Sequence, residues 1–170
     1  MNISELQSYI SEVPDYPKKG ILFYDISTLI NNSEAFMFSI EALASLLKKY
    51  DINKLAAIDA RGFIFGAALA QKLGLGLVMI RKRNKLPGKT LSQSYDLEYG
   101  QDTLEIKSEL SQAKFALIDD VLATGGTASA AIELIKKGGG TINCFCTLIE
   151  LEFLSGRNKI QIPYETLIKY

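Results

Sequence analysis

The sequence predicts an α/β fold, a twisted and mainly parallel β-sheet with helices on both faces. Short apolar runs of strand length alternate with longer segments of helical periodicity along most of the chain. The apolar runs are nearly continuous, which is typical of sheets covered on both sides. The length of 170 residues, of which 48% are hydrophobic and 22% charged, suits a single domain spanning residues 1–170.

The first half of the chain predicts a turn-rich start, two helices and two buried strands. Pro14 and Pro17 mark the turns, and a short apolar run follows Gly20. Hydrophobic residues recur with helical spacing after Ser33, which can cap a helix. The predicted elements are a helix from Ser33 to about residue 49, a strand at residues 55–58, a helix at about residues 62–73 ended by Gly74, and a strand at residues 77–80.

The second half begins with a change of character and then returns to strands and helices. Residues 81–100 are first basic and then polar, and residues 97–107 alternate around Gly100 like a β-hairpin. The remaining predicted elements are a strand at residues 114–118, a helix at about residues 126–137 ended by three glycines, and a strand at residues 142–149. Ligands of parallel sheets bind at the carboxyl ends of strands, so we expect the chemistry just after residues 58, 80, 118 and 149.

Composition excludes several classes of function. The 19 basic residues balance the 19 acidic ones, so no net charge attracts nucleic acid. The chain has no histidine, which excludes Ser-His-Asp catalysis and His-ligated zinc. Residues 1–11 are too polar for a signal peptide, and no apolar run is long enough to span a membrane. We therefore expect a cytoplasmic protein in which Cys144 and Cys146 are buried and reduced.

The segment ALIDDVLATGGT, residues 116–127, is the most informative. A hydrophobic strand ends in two adjacent carboxylates, which we expect to face solvent and to accept hydrogen bonds from a vicinal diol. The helix that follows offers free backbone N–H groups and a positive dipole end, and the glycines let a phosphate approach closely. The pattern predicts a ribose 5-phosphate site formed by Asp119, Asp120, Ala123, Thr124, Gly125, Gly126 and Thr127.

The alternative for this segment is a glycine turn preceded by two solvated aspartates. Two adjacent acids that close a buried strand, followed by Thr-Gly-Gly-Thr at a helix start, favour the ligand site. No Gly-Lys-Ser/Thr follows the glycines, which excludes a P-loop. Gly74 and Gly76 come after a helix, where a helix end explains them better than a dinucleotide-binding fingerprint.

Residues 116–127 resemble the phosphoribosyl pyrophosphate motif of the type I phosphoribosyltransferases. Other segments resemble the adenine phosphoribosyltransferases of this family in the expected order: GILFYDIS at residues 20–27, IDARGFIFG at 58–66, IRKRNKLPG at 80–88, SYDLEYG at 94–100 and IELEFLSGR at 149–157. The resemblance covers essentially the whole chain. It implies a type I phosphoribosyltransferase-like fold, a small N-terminal hood over the base pocket (about residues 1–30) and a flexible β-hairpin lid (about residues 84–107).

The resemblance implies that pyrophosphate is bound by Arg61, Lys82, Arg83, Lys85 and Tyr99. Arg61 offers a planar fork of donors, and a cation at a helix start is unfavourable unless an anion shares the site. The alternatives are a surface arginine at position 61 and a solvated run of charges at 82–85. The resemblance leaves open whether the basic loop acts within one subunit or across a dimer. Asn84 replaces the usual glycine of the family, and asparagine tolerates a left-handed backbone.

The resemblance also implies that adenine is bound by Leu22, Phe23, Tyr24 and Leu151. Phe23 would stack on the purine and Leu151 would close the other side, while the backbones of Leu22 and Tyr24 read the base edge. Core packing is the alternative for Phe23. Tyr24 stands where the family often has arginine. Glu98, on the lid, is the implied proton acceptor for the purine N9–H, and Glu98 and Arg61 are the implied catalytic residues.

The reaction implied is adenine plus phosphoribosyl pyrophosphate giving AMP and pyrophosphate. Mg²⁺ would be carried by the substrate's oxygens, with no ligand directly from the protein, and the enzyme would be a homodimer that binds neither nucleic acid nor membrane. One alternative is a phosphoribosyltransferase for another base, although enzymes for 6-oxopurines commonly place a lysine at the base edge. The other is a non-catalytic regulator that binds nucleic acid, which would need a basic, aromatic surface.

Overall fold

The computed structural model describes residues 1–96, 100–110 and 112–170. They divide into two compact units, residues 1–42 and residues 43–170. The first unit contains α1 (Ile3–Gln7), β1 (Ser11–Pro14), β2 (Leu22–Asp25), α2 (Ser27–Asn31) and the beginning of α3 (Ser33–Leu47). Strands β1 and β2 pair in antiparallel fashion, with Val13 opposite Phe23. The sequence predicted only turns and a short apolar run here, because four-residue strands carry little periodicity.

Helix α3 has the predicted place but a different cap. The side chain of Asn32 accepts a hydrogen bond from the backbone N–H of Ala35 at 2.9 Å. The expectation that Ser33 caps the helix is therefore wrong, because Ser33 already belongs to the first turn. The helix ends at Leu47, and Leu43 and Leu47 on its predicted apolar face are buried.

The second unit is built on a seven-stranded sheet with the order β5-β6-β4-β3-β7-β8-β9. Its strands are β3 (Lys54–Ile58), β4 (Gly76–Lys82), β5 (Thr90–Asp96), β6 (Gln101–Lys107), β7 (Lys114–Leu122), β8 (Thr141–Glu150) and β9 (Tyr164–Lys169). Strands β4, β3, β7, β8 and β9 run parallel, and only the hairpin of β5 and β6 is antiparallel. The predicted mainly parallel sheet with a β-hairpin is confirmed.

Helices α4 (Gly62–Leu73) and α5 (Gly126–Lys137) cover opposite faces of this sheet. Gly66 of α4 lies against Ala57, whereas Ile58, the next residue of β3, belongs to the core cluster that includes α5. The predicted bounds of both helices are confirmed, and Gly74 ends α4 in the left-handed conformation with a φ of 66°. Because α4 leads from β3 towards one edge and α5 leads from β7 towards the other, the order of the sheet reverses between β3 and β7. Such a reversal leaves a crevice at the carboxyl ends of the two strands.

Two expectations about the strands need correction, and one strand was not expected. Strand β7 continues to Leu122 and therefore includes both aspartates that were expected to follow it. Strand β4 was expected to be buried, but Met79 is 47% exposed, because α4 covers mainly β3 and β7. Strand β9 was not predicted, since most of its side chains are only partly buried and form no apolar run.

The two cysteines of β8 are buried and free, as expected. Burial raises the pKa of the Cys144 thiol to about 12 and raises the pKa of the Cys146 thiol well above its usual range. Among the described residues, no helix is both long and apolar enough to cross a bilayer.

Candidate active site

A cavity of about 440 Å³ lies at the carboxyl ends of β3 and β7, where the strand order reverses. Its walls come from four places: the ends of these two strands, the end of β4, the turn into α5, and the hairpin of β5 and β6. The lining residues used below are Asp59, Ala60, Arg61, Lys82, Tyr95, Asp102, Asp119, Asp120 and residues 123–127. The cavity thus brings together all seven residues predicted for the ribose 5-phosphate, with two of those predicted for pyrophosphate.

The turn into α5, residues 123–127, is called the glycine loop here. Gly125 caps the helix with a φ of 79°, a conformation that favours glycine, and no side chain bonds to the cap. The backbone N–H groups of the first turn of α5 therefore have no side-chain partner at the cap and lie at the cavity, with the positive end of the helix dipole. Gly126 has more room, since a Cβ there would approach nothing closer than 3.4 Å.

Gly156, outside the glycine loop, packs directly against the loop backbone. A Cβ on Gly125 would lie 2.5 Å from the backbone oxygen of Gly156, and a Cβ on Gly156 would lie 1.9 Å from the backbone oxygen of Ala123. Gly156 follows the short 3₁₀ helix Glu152–Leu154 and begins another, Gly156–Lys159. Two backbones therefore pack in direct contact, which a side chain at either position would prevent. This role of Gly156 is not predicted by the sequence, because nothing in the local pattern shows which backbone it faces.

The two aspartates are less exposed than expected. Asp120 is only 4% exposed, and its carboxylate lies 2.8 Å from Nε of Arg61. The expectation that both acids face solvent is therefore wrong for Asp120, because β7 carries it into the sheet. Asp119 accepts a hydrogen bond from the backbone N–H of Asp120 at 2.9 Å.

Burial and charge act together on this pair. Burial raises the pKa of the Asp119 carboxyl well above its usual range, and the charge of Asp120 raises it further. Burial also raises the pKa of Asp120, against the opposing effect of Arg61. When they are ionised, two adjacent carboxylates lining a cavity are strong acceptors for hydroxyl donors, and groups with perturbed pKa values mark functional sites.

Arg61 lies at the first turn of α4, directly after the cis peptide bond between Asp59 and Ala60. A cation at a helix start was expected to require a neighbouring anion, and Asp120 is one such anion. The side chain of Arg61 is 38% exposed and lines the cavity.

The basic run divides into residues at the cavity and residues outside its lining. Lys82 lines the cavity, whereas the exposed side chains of Arg83 and Lys85 do not. Arg81 is held by Asp59, with 3.1 Å between Nε and Oδ2. Asn84 has a φ of 63°, which confirms that asparagine adopts the left-handed turn at this position.

The residues predicted for the base lie in β2 and directly after β8. In the first unit, Leu22, Phe23 and Tyr24 belong to β2; Leu22 is 38% exposed, and the ring of Phe23 contacts that of Tyr16 edge to face at 5.2 Å. In the second unit, Leu151 directly follows β8, and its backbone N–H donates to Leu122. The predicted lid residues Glu98 and Tyr99 lie outside the described residues.

The phosphoribosyl transferase domain family matches residues 27–164 of the chain. The chain belongs to the phosphoribosyltransferase family. This phosphoribosyltransferase is similar to the adenine phosphoribosyltransferase of Acidiphilium cryptum, with 47% identity over 97% of this chain and 98% of the relative. The relative of the same name from Geobacter metallireducens is 48% identical over 93% of this chain and 94% of its own length.

Solved structures of this phosphoribosyltransferase family share the whole fold. The crystal structure of adenine phosphoribosyltransferase from Thermoanaerobacter pseudethanolicus has a TM-score of 0.96 at 44% identity and covers 99% of this chain and 100% of that one. The Giardia lamblia enzyme complexed with 9-deazaadenine has a TM-score of 0.94 at 35% identity and covers 100% of this chain and 98% of that one. The predicted type I phosphoribosyltransferase fold is confirmed.

Proposed function

We propose that this chain transfers the ribose 5-phosphate of phosphoribosyl pyrophosphate to adenine, giving AMP and pyrophosphate, as an enzyme of purine salvage. The observation that carries the proposal is the cavity in which the glycine loop at the start of α5 faces the two aspartates at the end of β7. The names of the relatives supply the base, because all of those reported above are adenine phosphoribosyltransferases.

The cavity offers binding groups for each part of phosphoribosyl pyrophosphate: the 5-phosphate, the ribose and the pyrophosphate. The N–H groups at the start of α5 and the hydroxyls of Thr124 and Thr127 would hold the 5-phosphate. Asp119 and Asp120 would accept hydrogen bonds from the ribose diol and hold the sugar still, which lowers the entropic part of the barrier. Arg61 and Lys82 would bind the pyrophosphate, with Arg83, Lys85 and Tyr99 as the further pyrophosphate residues of the proposal.

The chemical step needs stabilisation of the leaving group and an acceptor for one proton. The bond between N9 and C1′ forms as the bond from C1′ to the pyrophosphate oxygen breaks, and the electron pair leaves with pyrophosphate. Arg61 and Lys82 stabilise that developing charge. Glu98 accepts the proton of N9, which removes positive charge from the base as the new bond forms.

Mg²⁺ fits this cavity as an ion brought by the substrate. Among the described residues, no group of three or more carboxylates, histidines or cysteines could form a protein cage for a metal. Mg²⁺ commonly keeps several water ligands and binds through substrate phosphates. The oxygen-rich lining of this cavity is compatible with that mode of coordination. When bound, the ion neutralises charge on the pyrophosphate.

Adenine would be held by Phe23 and Leu151 on its two faces and by the backbones of Leu22 and Tyr24 at its edge. A competition assay tests this choice of base: adenine, guanine, hypoxanthine and orotate are offered together with phosphoribosyl pyrophosphate and Mg²⁺, and the nucleotides are separated. We expect AMP as the main product. A different main nucleotide would reassign the base, and no nucleotide at all, from protein that binds phosphoribosyl pyrophosphate, would favour a regulator.

A homodimer in the cytoplasm completes the proposal. Ile64 on α4 and Met79 on β4 are 39% and 47% exposed, and exposed apolar side chains suit a protein–protein contact. Light scattering on the purified protein tests the dimer. The cytoplasm is where phosphoribosyl pyrophosphate would be available as a substrate.

A further inference from the structure

The hairpin of β5 and β6 places one carboxylate in the pyrophosphate half of the cavity. Asp102 lies directly opposite Tyr95 in the hairpin, and both line the cavity. Oδ2 of Asp102 lies 3.0 Å from Nζ of Lys82 and accepts a hydrogen bond from the hydroxyl of Tyr95 at 3.3 Å. Oδ1 of Asp102 accepts a hydrogen bond from the backbone N–H of Thr103 at 2.8 Å.

Strand register explains why these groups meet. Lys82 of β4 pairs with Leu104 of β6, and Asp102 is two residues from Leu104 on the same face of the sheet. Leu104 belongs to the core cluster beneath α5, and Tyr95 packs against that cluster and bonds to Thr127 at the start of α5. The end of the hairpin is thus attached to both halves of the cavity, through Asp102 to Lys82 and through Tyr95 to Thr127.

Lys82 and Asp102 form a genuine ion pair at neutral pH. Burial alone would raise the pKa of Asp102. Several contacts, of which the hydrogen bond from Lys82 is the strongest, lower that pKa below its usual range. The hydrogen bond to Asp102 raises the pKa of Lys82. The side chain of Asp102 is 23% exposed and that of Lys82 is 55% exposed, so water and a ligand can both reach the lysine.

We propose that Asp102 is the counter-ion of Lys82 in the empty site. Pyrophosphate must displace Asp102 from Lys82 when it binds, and the ion pair forms again when pyrophosphate leaves. This inference rests on the proposed function, because it places pyrophosphate at Lys82. A carboxylate that competes for the lysine and repels the polyanion weakens pyrophosphate binding, and so favours release of the product. Because Asp102 also attaches the hairpin to Lys82, this attachment should be present when the site is empty and absent when pyrophosphate is bound.

The test measures the affinity of Mg²⁺-pyrophosphate by calorimetry for the wild type and for Asp102→Asn. Asparagine keeps the size of the side chain, but it lacks the charge. Its single oxygen can still accept the hydrogen bond from the backbone N–H of Thr103, and its NH2 group, in the place of Oδ2, can donate to the hydroxyl of Tyr95. We expect Asp102→Asn to bind pyrophosphate about two- to fivefold more tightly, the range of a partly exposed ion pair. Product inhibition by pyrophosphate should strengthen by a similar factor.

Two further variants make the result specific. Asp96→Asn removes the same charge from the same strand pair, but Asp96 is exposed and does not line the cavity, so its pyrophosphate affinity should stay at the wild-type value. In a Lys82→Met background, adding Asp102→Asn should increase the affinity for pyrophosphate clearly less than it does in the wild type. Without the lysine, Asp102 and pyrophosphate no longer compete for the same cation.

Unchanged or weaker pyrophosphate binding by folded Asp102→Asn, checked by melting temperature, would overturn the inference, since a carboxylate that merely positions the lysine predicts weaker binding. Equal tightening with and without Lys82 would also overturn it, because simple repulsion would then explain the effect. If the wild type binds no pyrophosphate at all, the proposed function itself fails, and the inference fails with it.

Discussion

Two walls of the same cavity are held in place by different kinds of contact. On one side, the glycine loop packs backbone against backbone with Gly156, and Asp120 is paired with Arg61 inside the sheet. On the other side, the hairpin reaches the cavity with the side chains of Tyr95 and Asp102, which bond to each other, to Lys82 of β4 and to Thr127 of α5. At Gly125 and Gly156 the first wall has no room for a side chain, whereas the second wall is held by polar contacts that a ligand can replace.

The difference matches what each wall must do. The ribose 5-phosphate is present in both substrate and product, so the wall that binds it benefits from rigidity. Pyrophosphate must bind, separate from the sugar and leave, and the wall that faces it must release its contacts. Rigid packing should therefore make the first wall sensitive to added atoms, while the second should be sensitive mainly to changes of charge or of chemistry.

The largest effect that we expect belongs to Glu98, which lies between β5 and β6 in the sequence. Glu98→Gln keeps the size of the side chain but removes its basicity, so kcat should fall by about 10²–10⁴. Binding of phosphoribosyl pyrophosphate should change little. A single-turnover experiment isolates the chemical step, and wild-type speed there would assign the proton to water or to a pyrophosphate oxygen instead.

Gly156→Ala should test the rigid wall without touching the substrate. The added methyl would lie 1.9 Å from the backbone oxygen of Ala123, so the glycine loop must move. A displacement of about 1 Å can cost about 10²-fold in rate, and we expect a loss of this size in kcat/KM for phosphoribosyl pyrophosphate. Gly76→Ala is the matched control, because a Cβ there meets nothing within 4 Å. Equal activity of the two folded variants would show that the loop is not rigid.

Asp119→Asn should lower activity while making the fold more stable. The folded-state pKa of Asp119 is raised, so the folded chain binds a proton that the unfolded chain has lost, and stability falls as pH rises through this range. Asparagine removes that penalty at neutral pH, and each kcal/mol gained raises Tm by about 2–4 °C. Loss of a charged hydrogen bond to the ribose should reduce kcat/KM by about tenfold or more. A lower Tm would mean that the carboxylate stabilises the fold.

The same raised pKa predicts how sugar binding depends on pH. A protonated carboxyl accepts hydrogen bonds from the diol less well, so affinity for ribose 5-phosphate should fall as pH falls through the raised pKa of Asp119. The effect should amount to a few-fold, about the value of one hydrogen bond. The control ligand is 2-deoxyribose 5-phosphate, whose phosphate titrates in the same way but which lacks one hydroxyl. A constant ratio of the two affinities across pH would contradict the assignment.

The smallest effect should come from the outer part of the hairpin. Ser94 and Thr103 exchange a hydrogen bond at 3.0 Å between exposed side chains on opposite strands. Ser94→Ala should change stability by no more than about 0.5 kcal/mol and leave kcat/KM near the wild-type value, because water replaces the lost partner. A strong loss of activity would show that the hairpin is as finely fitted as the glycine loop.

The sequence was sufficient where local chemistry determines the structure. The Thr-Gly-Gly-Thr pattern predicted the start of α5 at Gly126, and Gly74 predicted the end of α4, because helix ends depend on a few neighbouring residues. The family resemblance added roles that spacing alone could not, above all that of Glu98.

The sequence was insufficient where distant segments meet. The contact of Gly156 with Ala123 and the pairing of Lys82 with Asp102 depend on strand order and register, which no local pattern encodes. Asp120 was expected to face solvent because acids at strand ends usually do, but the longer strand β7 buries it. The reversal of strand order between β3 and β7, which creates the cavity, is likewise a property of the assembled sheet.

The two cysteines of β8 provide a natural reporter of how often the sheet opens. Both are completely buried, and their raised pKa values keep them as unreactive thiols while the sheet is closed. A thiol-alkylating reagent can reach them only when β8 separates from its neighbours, so the labelling rate measures the free energy of that opening. Ligands that bind the closed sheet should slow the labelling in proportion to their affinity, which would give a binding assay that needs no catalysis.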